Sequence, residues 1–379
     1  MMTQSESLDE SVLNSYGGLH ENSLSHLIRL DDGDDGNPQT VIHSSYYDQE
    51  KLTELIATKK KHFSILSSNI ESINAKYSEL EIFIEQLKQQ NFKFSAICLQ
   101  ECWLSKKNIN TSLIELEGYH CIKQSSNISN KGGLVIYLSD EYQYKMKSSY
   151  NVSEIWEGQF IEVSGNDLTK NIIIGNIYRP PRNLTNNYRV FIDEITLMLN
   201  SYDRCKSEII LTGDFNINLL KINEREIFSE FYDTMISHGY CPKITLPTRF
   251  SNRNGTLIDN FFCKNSNSTI SATSGIMIKQ FSDHHPYFMF MNILKQNIQT
   301  PKYIQISSHT QNAIDRFYCE IESTNILDKM NKDPLADPND NYNILEKIIY
   351  EARHKHLPIK NVKFNRHRHK KICGSQKAC

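Results

Sequence analysis

Several things are missing from this sequence, and each absence excludes a class of protein. No CxxC pair occurs among its nine cysteines, which are scattered from Cys98 to Cys379. An odd, dispersed set argues against a disulfide framework or a cysteine zinc site and reads as reduced thiols in an intracellular protein. No apolar run approaches the roughly 20 residues that cross a bilayer, so no membrane partner is expected. The first residues are polar and acidic, unlike a secretory leader. Neither sign of charge dominates: the formal net charge is -2 over 379 residues, so no global field announces a partner. Internal repeats are absent as well.

What is present is unevenly distributed. The start is acidic, with Asp31, Asp32, Asp34 and Asp35, and rich in Ser, Asn and Gly. Residues 1–55 are read as a largely disordered segment. The texture changes at 62-HFSILSSNI-70, a strand-like run. In 76-KYSELEIFIEQLKQQ-90, Tyr77, Leu80, Phe83, Ile84 and Leu87 recur at helical spacing on one face. Strand candidates follow at 94–104, 133–138, 159–163 and 171–178, then a helix over 187–202 and a strand over 208–217. A second helix, 226–239, stops at Gly239, a residue suited to a C-cap. Apolar segments 257–263 and 284–293 close the region. Mixed strands and helices over residues 56–295 predict an α/β protein of packed sheets with helices outside. Residues 296–379 read as a partly helical linker, with a loop at 332–340 and a basic end.

The chemistry gathers at strand ends. Asn69 ends the first strand, with Glu71 beyond it; Gln100-Glu101 ends the second. Tyr178-Arg179-Pro180 ends another, and 207-SEIILTGDFNINLL-220 runs from three apolar residues into Gly213, Asp214 and Asn216. Later come Asp259, set between apolar neighbours, and 282-SDHHP-286. Strand ends in such architectures converge on one rim. A glutamate after a strand is ordinarily a solvated cap, and an Asp-His dipeptide is common; the six together, in one order, are not. Glu101, Asp283 and Asn69 are hard oxygen ligands suited to Mg²⁺ or Mn²⁺. His284 could take a proton from water, with Asp259 orienting it. Tyr178, Arg179 and Asn216 offer donors for charge developing on a phosphoryl group. This is a toolkit for metal-assisted phosphodiester hydrolysis.

That ordered set resembles the endonuclease/exonuclease/phosphatase family, which includes abasic-site repair endonucleases and DNase I. Within it, 99-LQECWL-104, 176-NIYRPP-181, 246-LPTRF-250, 256-TLIDNFF-262 and 282-SDHHP-286 are most similar to the endonucleases of jockey-like non-LTR (LINE-type) retrotransposons. The resemblance spans about residues 62–293. It implies a four-layer α/β/β/α sandwich (DNase I-like) with the site at one rim. It places Asn69 and Glu101 on the metal side with Asp283 beside them. Asp214 would activate or orient water, Asn216 and Tyr178 would hold the scissile phosphate, and His284 would contact it with Asp259 behind. Whether Asp214 or His284 takes the proton stays open, as does the choice of one metal or two. Glu71 departs from the basic residue usual in the retrotransposon branch.

The expected activity is Mg²⁺-dependent nicking of one DNA strand to leave a 3′ hydroxyl, the primer for reverse transcription in an intact element. Element RNA or a reverse transcriptase would be partners only there, because no Tyr-x-Asp-Asp motif follows; a truncated or frameshifted copy is the simplest account. The loops 123–132 and 248–255, the latter carrying Arg249, are the expected substrate contacts. The tail 353–371 holds eight Lys/Arg and four His, a pattern fitting phosphate neutralisation, nuclear targeting or a solvated linker. A monomeric, intracellular and nuclear protein is expected. Competing readings are a catalytically silent remnant that binds nucleic acid, and a lipid or inositol phosphodiesterase of the same fold.

Overall fold

The computed structural model describes residues 44–59, 62–104, 114–126, 131–152, 155–181, 185–251, 254–264, 272–295, 303–307, 310–330 and 337–363. Residues 1–43, the tail beyond 363 and parts of the loops 123–132 and 248–255, all of which carried expectations, lie outside that set. The chain divides into two compact units, Met1–Lys295 and Gln296–Cys379.

In the first unit the strands form two large sheets. One contains β1 (Tyr46–Tyr47), β2 (Phe63–Asn69), β3 (Ala96–Gln100), β4 (Tyr119–Gln124) and β5 (Leu134–Ser139), with β14 (Ala272–Met277) and β15 (Tyr287–Met291). Its order is β1-β14-β15-β2-β3-β5-β4. The other contains β6 (Gln143–Val152), β7 (Trp156–Ser164), β8 (Ile172–Tyr178), β9 (Glu208–Asp214), β10 (Tyr240–Pro242) and β13 (Asp259–Lys264), in the order β10-β13-β9-β8-β7-β6. A short hairpin, β11 (Arg249–Ser251) with β12 (Asn254–Thr256), stands apart.

Side-chain alternation explains the layering. In β2, Phe63 and Ile65 join a core shared with Phe160, Ile174, Leu211 and Phe261 of the second sheet. Leu66 instead joins the core made with the helices α1 (Gln49–Lys59) and α2 (Ile73–Gln89), through Leu52, Ile56, Leu80, Phe83 and Leu87. Helices α3 (Thr185–Ser201) and α4 (Glu226–Ser237) cover the second sheet through Phe191 and Phe231. The result is an α/β/β/α sandwich. The boundary expected at residue 55 falls inside α1, so residues 44–55 are structured. Leu52 and Ile56 are too sparse an apolar signal to stand out in sequence, yet both are buried.

Two polar bridges fix one sheet against the other. Gln100 donates from Nε2 to Asn176 Oδ1 at 2.6 Å, and Asn176 donates to the Leu99 and Val135 carbonyls at 3.0 and 3.2 Å. The Tyr287 hydroxyl accepts from the Gly213 amide at 3.0 Å and donates to the Gly213 carbonyl at 3.1 Å. Both bridges are buried, where an unmet partner would cost about 1–3 kcal/mol. β2 and β3 are parallel, with Asn69 opposite Gln100; β8 and β9 are parallel, with Tyr178 opposite Asp214. Matching directions in both sheets bring four strand ends to one rim.

The second unit pairs β16 (Tyr303–Ser307) with β17 (Ile359–Lys363) and carries α5 (Gln311–Ser323), α6 (Ile326–Lys329) and α7 (Pro338–His356). Thr310 caps α5 and Asp337 caps α7, whose last turn is basic, as the helix dipole favours.

Gly213 is where the rim is least forgiving. Its φ is 149°, and a Cβ there would lie 1.8 Å from the Ile177 carbonyl oxygen. We expect Gly213→Ala to cost about 3 kcal/mol or more, because backbone must move in a central strand. A shift of that size in the urea midpoint, measured by circular dichroism, is the check; an unchanged midpoint would show that the β8–β9 pairing tolerates a side chain.

Candidate active site

The rim is built from strand ends and strained turns. Among the described residues, six non-glycines have positive φ, and five of them flank this rim: Glu71 (46°), Ser72 (84°), Glu101 (47°), Trp103 (55°) and Asn216 (48°). Such backbone is held only where surrounding contacts over-determine it, and it clusters at functional sites. Here Ser72 N–H donates to the Glu101 carbonyl at 2.8 Å and Ile70 N–H to the Gln100 carbonyl at 3.0 Å. The two turns therefore brace one another.

Asp214 lies at the centre, fully buried at the end of β9. Its Oδ2 accepts from Asn69 Nδ2 at 2.9 Å and Asn216 Nδ2 at 3.0 Å, and its Oδ1 accepts from the Asn216 backbone at 2.9 Å. Asn69 Nδ2 also donates to Glu101 Oε1 at 2.9 Å, so one amide joins the carboxylates of two sheets. Desolvation, then the charge of Asp259, raises the Asp214 pKa to about 7, although the imidazolium of His284 opposes this.

Opposite stands a hydrogen-bonded chain. Thr248 Oγ1 donates to Asp259 Oδ2 at 2.6 Å, and Asp259 Oδ2 faces His284 Nδ1 at 2.9 Å. The acid amid apolar neighbours is thus paired, as burial requires. Burial disfavours the charged His284 ring, but Asp259 outweighs it and lifts the pKa to about 9. Near neutral pH the ring is an imidazolium with Nε2 turned away from Asp259. Ser282 locks the turn: its Oγ donates to the Asn69 carbonyl at 2.6 Å and accepts from His284 N–H at 3.1 Å. The neighbouring His285 is tied to the Met277 carbonyl at 2.9 Å, with burial lowering its pKa. Of the pair, His284 is thus the one hydrogen-bonded to Asp259.

The acidic side brings Glu71, Glu101 and Asp283 together. Burial, then the charges of Asp283 and Glu101, raises the Glu71 pKa. Asp283 Oδ1 is buried without a hydrogen-bond partner, 3.6 Å from His284 Nε2. Crowded carboxylates with an orphaned acceptor fit a hard divalent cation. Among the described residues, a different trio, Asp214, Asp259 and His284, has candidate ligand atoms within 4.8 Å of one another. Its Asp259 and His284 are already spent on each other, so the acidic side suits a cation better. Tyr178 is nearly buried between them, its hydroxyl against Glu101, and desolvation raises its pKa.

Three expected substrate contacts have protein partners of their own in the structure. Arg179 is only 1% exposed; its Nε donates to the Phe215 carbonyl at 2.7 Å and its Nη2 to that of Asn216 at 2.8 Å. Stacked 4.1 Å from the Tyr188 ring, it props up the Asp214–Asn216 turn. Asn216 spends both amide hydrogens on Asp214 and on the Arg179 carbonyl at 2.8 Å, so it positions Asp214. Arg249 reaches the rim but grips Asp283 Oδ2 through Nε at 2.8 Å and Nη2 at 2.6 Å. Thr248 and Ser282 lie within the motifs 246-LPTRF-250 and 282-SDHHP-286, but the sequence assigns their hydroxyls no role. Hydroxyls carry no signal until the carboxylate and carbonyl they serve are placed beside them.

The chain is similar in part to several known proteins. Residues 172–288 match the family model described as endonuclease-reverse transcriptase, a span holding Tyr178, Asp214, Asp259 and His284 but not Asn69 or Glu101. Similar solved structures include an AP endonuclease from Leishmania major, at 16% identity and TM-score 0.49, covering 60% of this chain and 87% of that one. The Xenopus laevis APE2 catalytic domain is 16% identical with TM-score 0.48, covering 61% and 92%. The endonuclease domain of TRAS1, a telomere-specific non-LTR retrotransposon, is 14% identical with TM-score 0.46, covering 62% and 100%. Over residues 172–288 the family match and the motif resemblance point the same way.

The His284–Asp259 pair makes stability depend on pH in a defined direction. The histidine pKa rises from 6.5 to about 9 on folding, so the pair's contribution is complete below about 6.5 and is lost as pH rises through about 9. We expect Asp259→Asn to cost about 3 kcal/mol at pH 6 and much less at pH 10. Thermal melts of parent and variant at both pH values test this; a deficit that does not shrink at pH 10 would refute the ion pair.

Proposed function

We propose that the chain is a divalent-metal-dependent DNA endonuclease that hydrolyses one strand and leaves a 3′ hydroxyl. The observation that carries this reading is the opposition of Asp214 and His284 across one rim. One is a buried carboxylate poised near neutrality, the other a buried imidazole held cationic. Pairs whose environments push their pKa values apart divide the roles of base and acid between them.

Asp214 takes the proton of the attacking water. Its three N–H donors orient its oxygens, and its pKa of about 7 makes it a stronger base than an exposed carboxylate. His284 donates from Nε2 to a non-bridging phosphoryl oxygen and stabilises the charge that develops there. Asp259 and Thr248 hold the ring in that orientation. Water oxygen bonds to phosphorus, the bond from phosphorus to the 3′ oxygen breaks, the departing oxygen takes a proton from solvent water, and the products are a 3′ hydroxyl and a 5′ phosphate. Tyr178, on the floor beside Glu101, supports the phosphate from below. Glu101, Asn69 and Asp283, with Glu71 adjacent, would hold Mg²⁺ or Mn²⁺. When bound, the cation supplies Lewis-acid stabilisation of the phosphoryl charge. Asn69 can serve it through Oδ1, which in this structure accepts the Glu71 N–H at 3.3 Å.

The test uses the full chain with supercoiled plasmid, in Mg²⁺ and in EDTA. Mg²⁺-dependent conversion to the open circle is expected, and a polymerase should extend the nick without phosphatase treatment. Asp214→Ala and His284→Ala should each lose about 100-fold or more. A folded protein that nicks in neither Mg²⁺ nor Mn²⁺ would overturn the reading. Release of phosphate from monoesters or inositol phosphates instead would favour the phosphodiesterase alternative.

The rate should follow a bell. It rises as Asp214 ionises near pH 7 and falls as His284 loses its proton near pH 9. In His284→Gln the alkaline limb should vanish and the acid limb should move up, because the imidazolium holds the Asp214 pKa down. Steady-state rates from pH 5.5 to 10 decide it.

A further inference from the structure

The sequence has two tryptophans, and the structure treats them oppositely. Trp156 is completely buried, whereas Trp103 is 38% exposed. Trp103 stands two residues after Glu101, between Cys102 and Leu104, both buried. Its backbone is in the left-handed region, at φ 55°, which is costly for a bulky residue.

The backbone on either side is pinned. Cys102 N–H donates to the Gly133 carbonyl at 3.0 Å and Leu104 N–H to the Gly132 carbonyl at 3.1 Å. Ser126 N–H donates to the Leu104 carbonyl at 2.8 Å. That second loop is in turn clamped by Glu157, a fully buried carboxylate outside the hydrolytic machinery. One of its oxygens accepts from the Gly133 amide at 2.7 Å and the other from the Ser126 hydroxyl. Gly132 and Gly133 leave no room for a Cβ: it would lie 2.4 Å from Ser126 Oγ at the first and 2.9 Å from Leu104 Cβ at the second. A strained turn, two crowded glycines and a buried acid thus hold one indole outward. The Lys131 ammonium lies 5.7 Å from the centre of that ring.

We propose that Trp103 is a DNA-contacting platform, which stacks on a base or sugar of the duplex beside the scissile phosphate, with Lys131 supplying charge to the adjoining backbone. This rests on the endonuclease reading and names how substrate is held on the Glu101 side. In a duplex the base faces are already stacked, so the indole meets a deoxyribose edge, or a base only where a step is opened; either contact is sequence-tolerant. A flanking ammonium adds the salt-dependent phosphate term. Glu157 is then a positioning residue, acting through the loop it clamps.

The experiment is a titration of the full chain with a 20-base-pair duplex in EDTA, following tryptophan emission and, separately, anisotropy of labelled DNA. Saturable quenching is expected, and Trp103→Phe should abolish the quench while still binding, since Trp156 is buried. Trp103→Ala should raise Kd by roughly 5- to 100-fold, the ratio equivalent to a stack of about 1–3 kcal/mol. Lys131→Ala should weaken binding less and flatten its salt dependence. Parallel plasmid assays separate the two readings. A chain that nicks DNA while Trp103→Ala binds within two-fold of the parent overturns the platform and leaves the nuclease standing. Quenched binding without nicking keeps the platform and removes the nuclease. Absence of duplex binding overturns both. If Trp103→Ala does not fold, the Trp103→Phe quench decides.

Discussion

Everything at the rim depends on two sheets being held in register by polar contacts inside an apolar core. Packed sheets can slide on aliphatic side chains at little cost, because dispersion is not directional. The Gln100–Asn176 bridge and the Tyr287 hydroxyl on Gly213 remove that freedom. Each lies one residue from a site group: Gln100 precedes Glu101, and Gly213 precedes Asp214. A slide of one residue, about 3.3 Å along a strand, would part the groups that meet across the two sheets. Asn69 can therefore donate to Glu101 of its own sheet and to Asp214 of the other with a single amide nitrogen.

On that scaffold, burial and pairing set opposite charges on two groups that would otherwise be ordinary. Desolvation dominates at Asp214, where only neutral amide donors touch the carboxylate. At His284 a carboxylate backed by a hydroxyl overrides desolvation. The second arrangement explains why Asp259 sits among apolar residues without being orphaned. Arg179 serves the same end from underneath, using a buried guanidinium to satisfy carbonyls that the left-handed turn at Asn216 leaves over.

Much of this was legible in the sequence. The central strands announced themselves because they are apolar on both faces, as 209-IIL-211 and 172-IIIGNIY-178 are, and the helices because one face repeats. Strand ends bearing Asn69, Glu101, Tyr178 and Asp214 followed directly. Peripheral elements did not: β4 and β6 are half-exposed edge strands with polar residues, and 272-ATSGIM-277 of β14 is small and polar at its start. Their pairing is decided by neighbours, which no local pattern encodes. At the site, residue types were visible but their allegiance was not. Arg179 offers a donor for phosphate in sequence, and the fold adds that it braces two carbonyls, because only the fold shows which carbonyls need a donor. Thr248 lies 11 residues from the carboxylate it serves, and Ser282 lies 213 from the carbonyl it holds.

The separation of the site residues along the chain has a consequence for when chemistry can begin. Asn69 and Asp214 are 145 residues apart, and His284 comes from beyond both. Closing such contacts is entropically late, since neither a hairpin nor a single helix–strand unit brings any two of these residues together. A chain emerging from the ribosome would carry an inert half-sandwich until the strand after residue 286 had been made and inserted beside β2. The complete set of site residues thus arrives in one step with closure of the first sheet. An unfinished or partly opened molecule lacks His284 against Asp259 and so has no complete site.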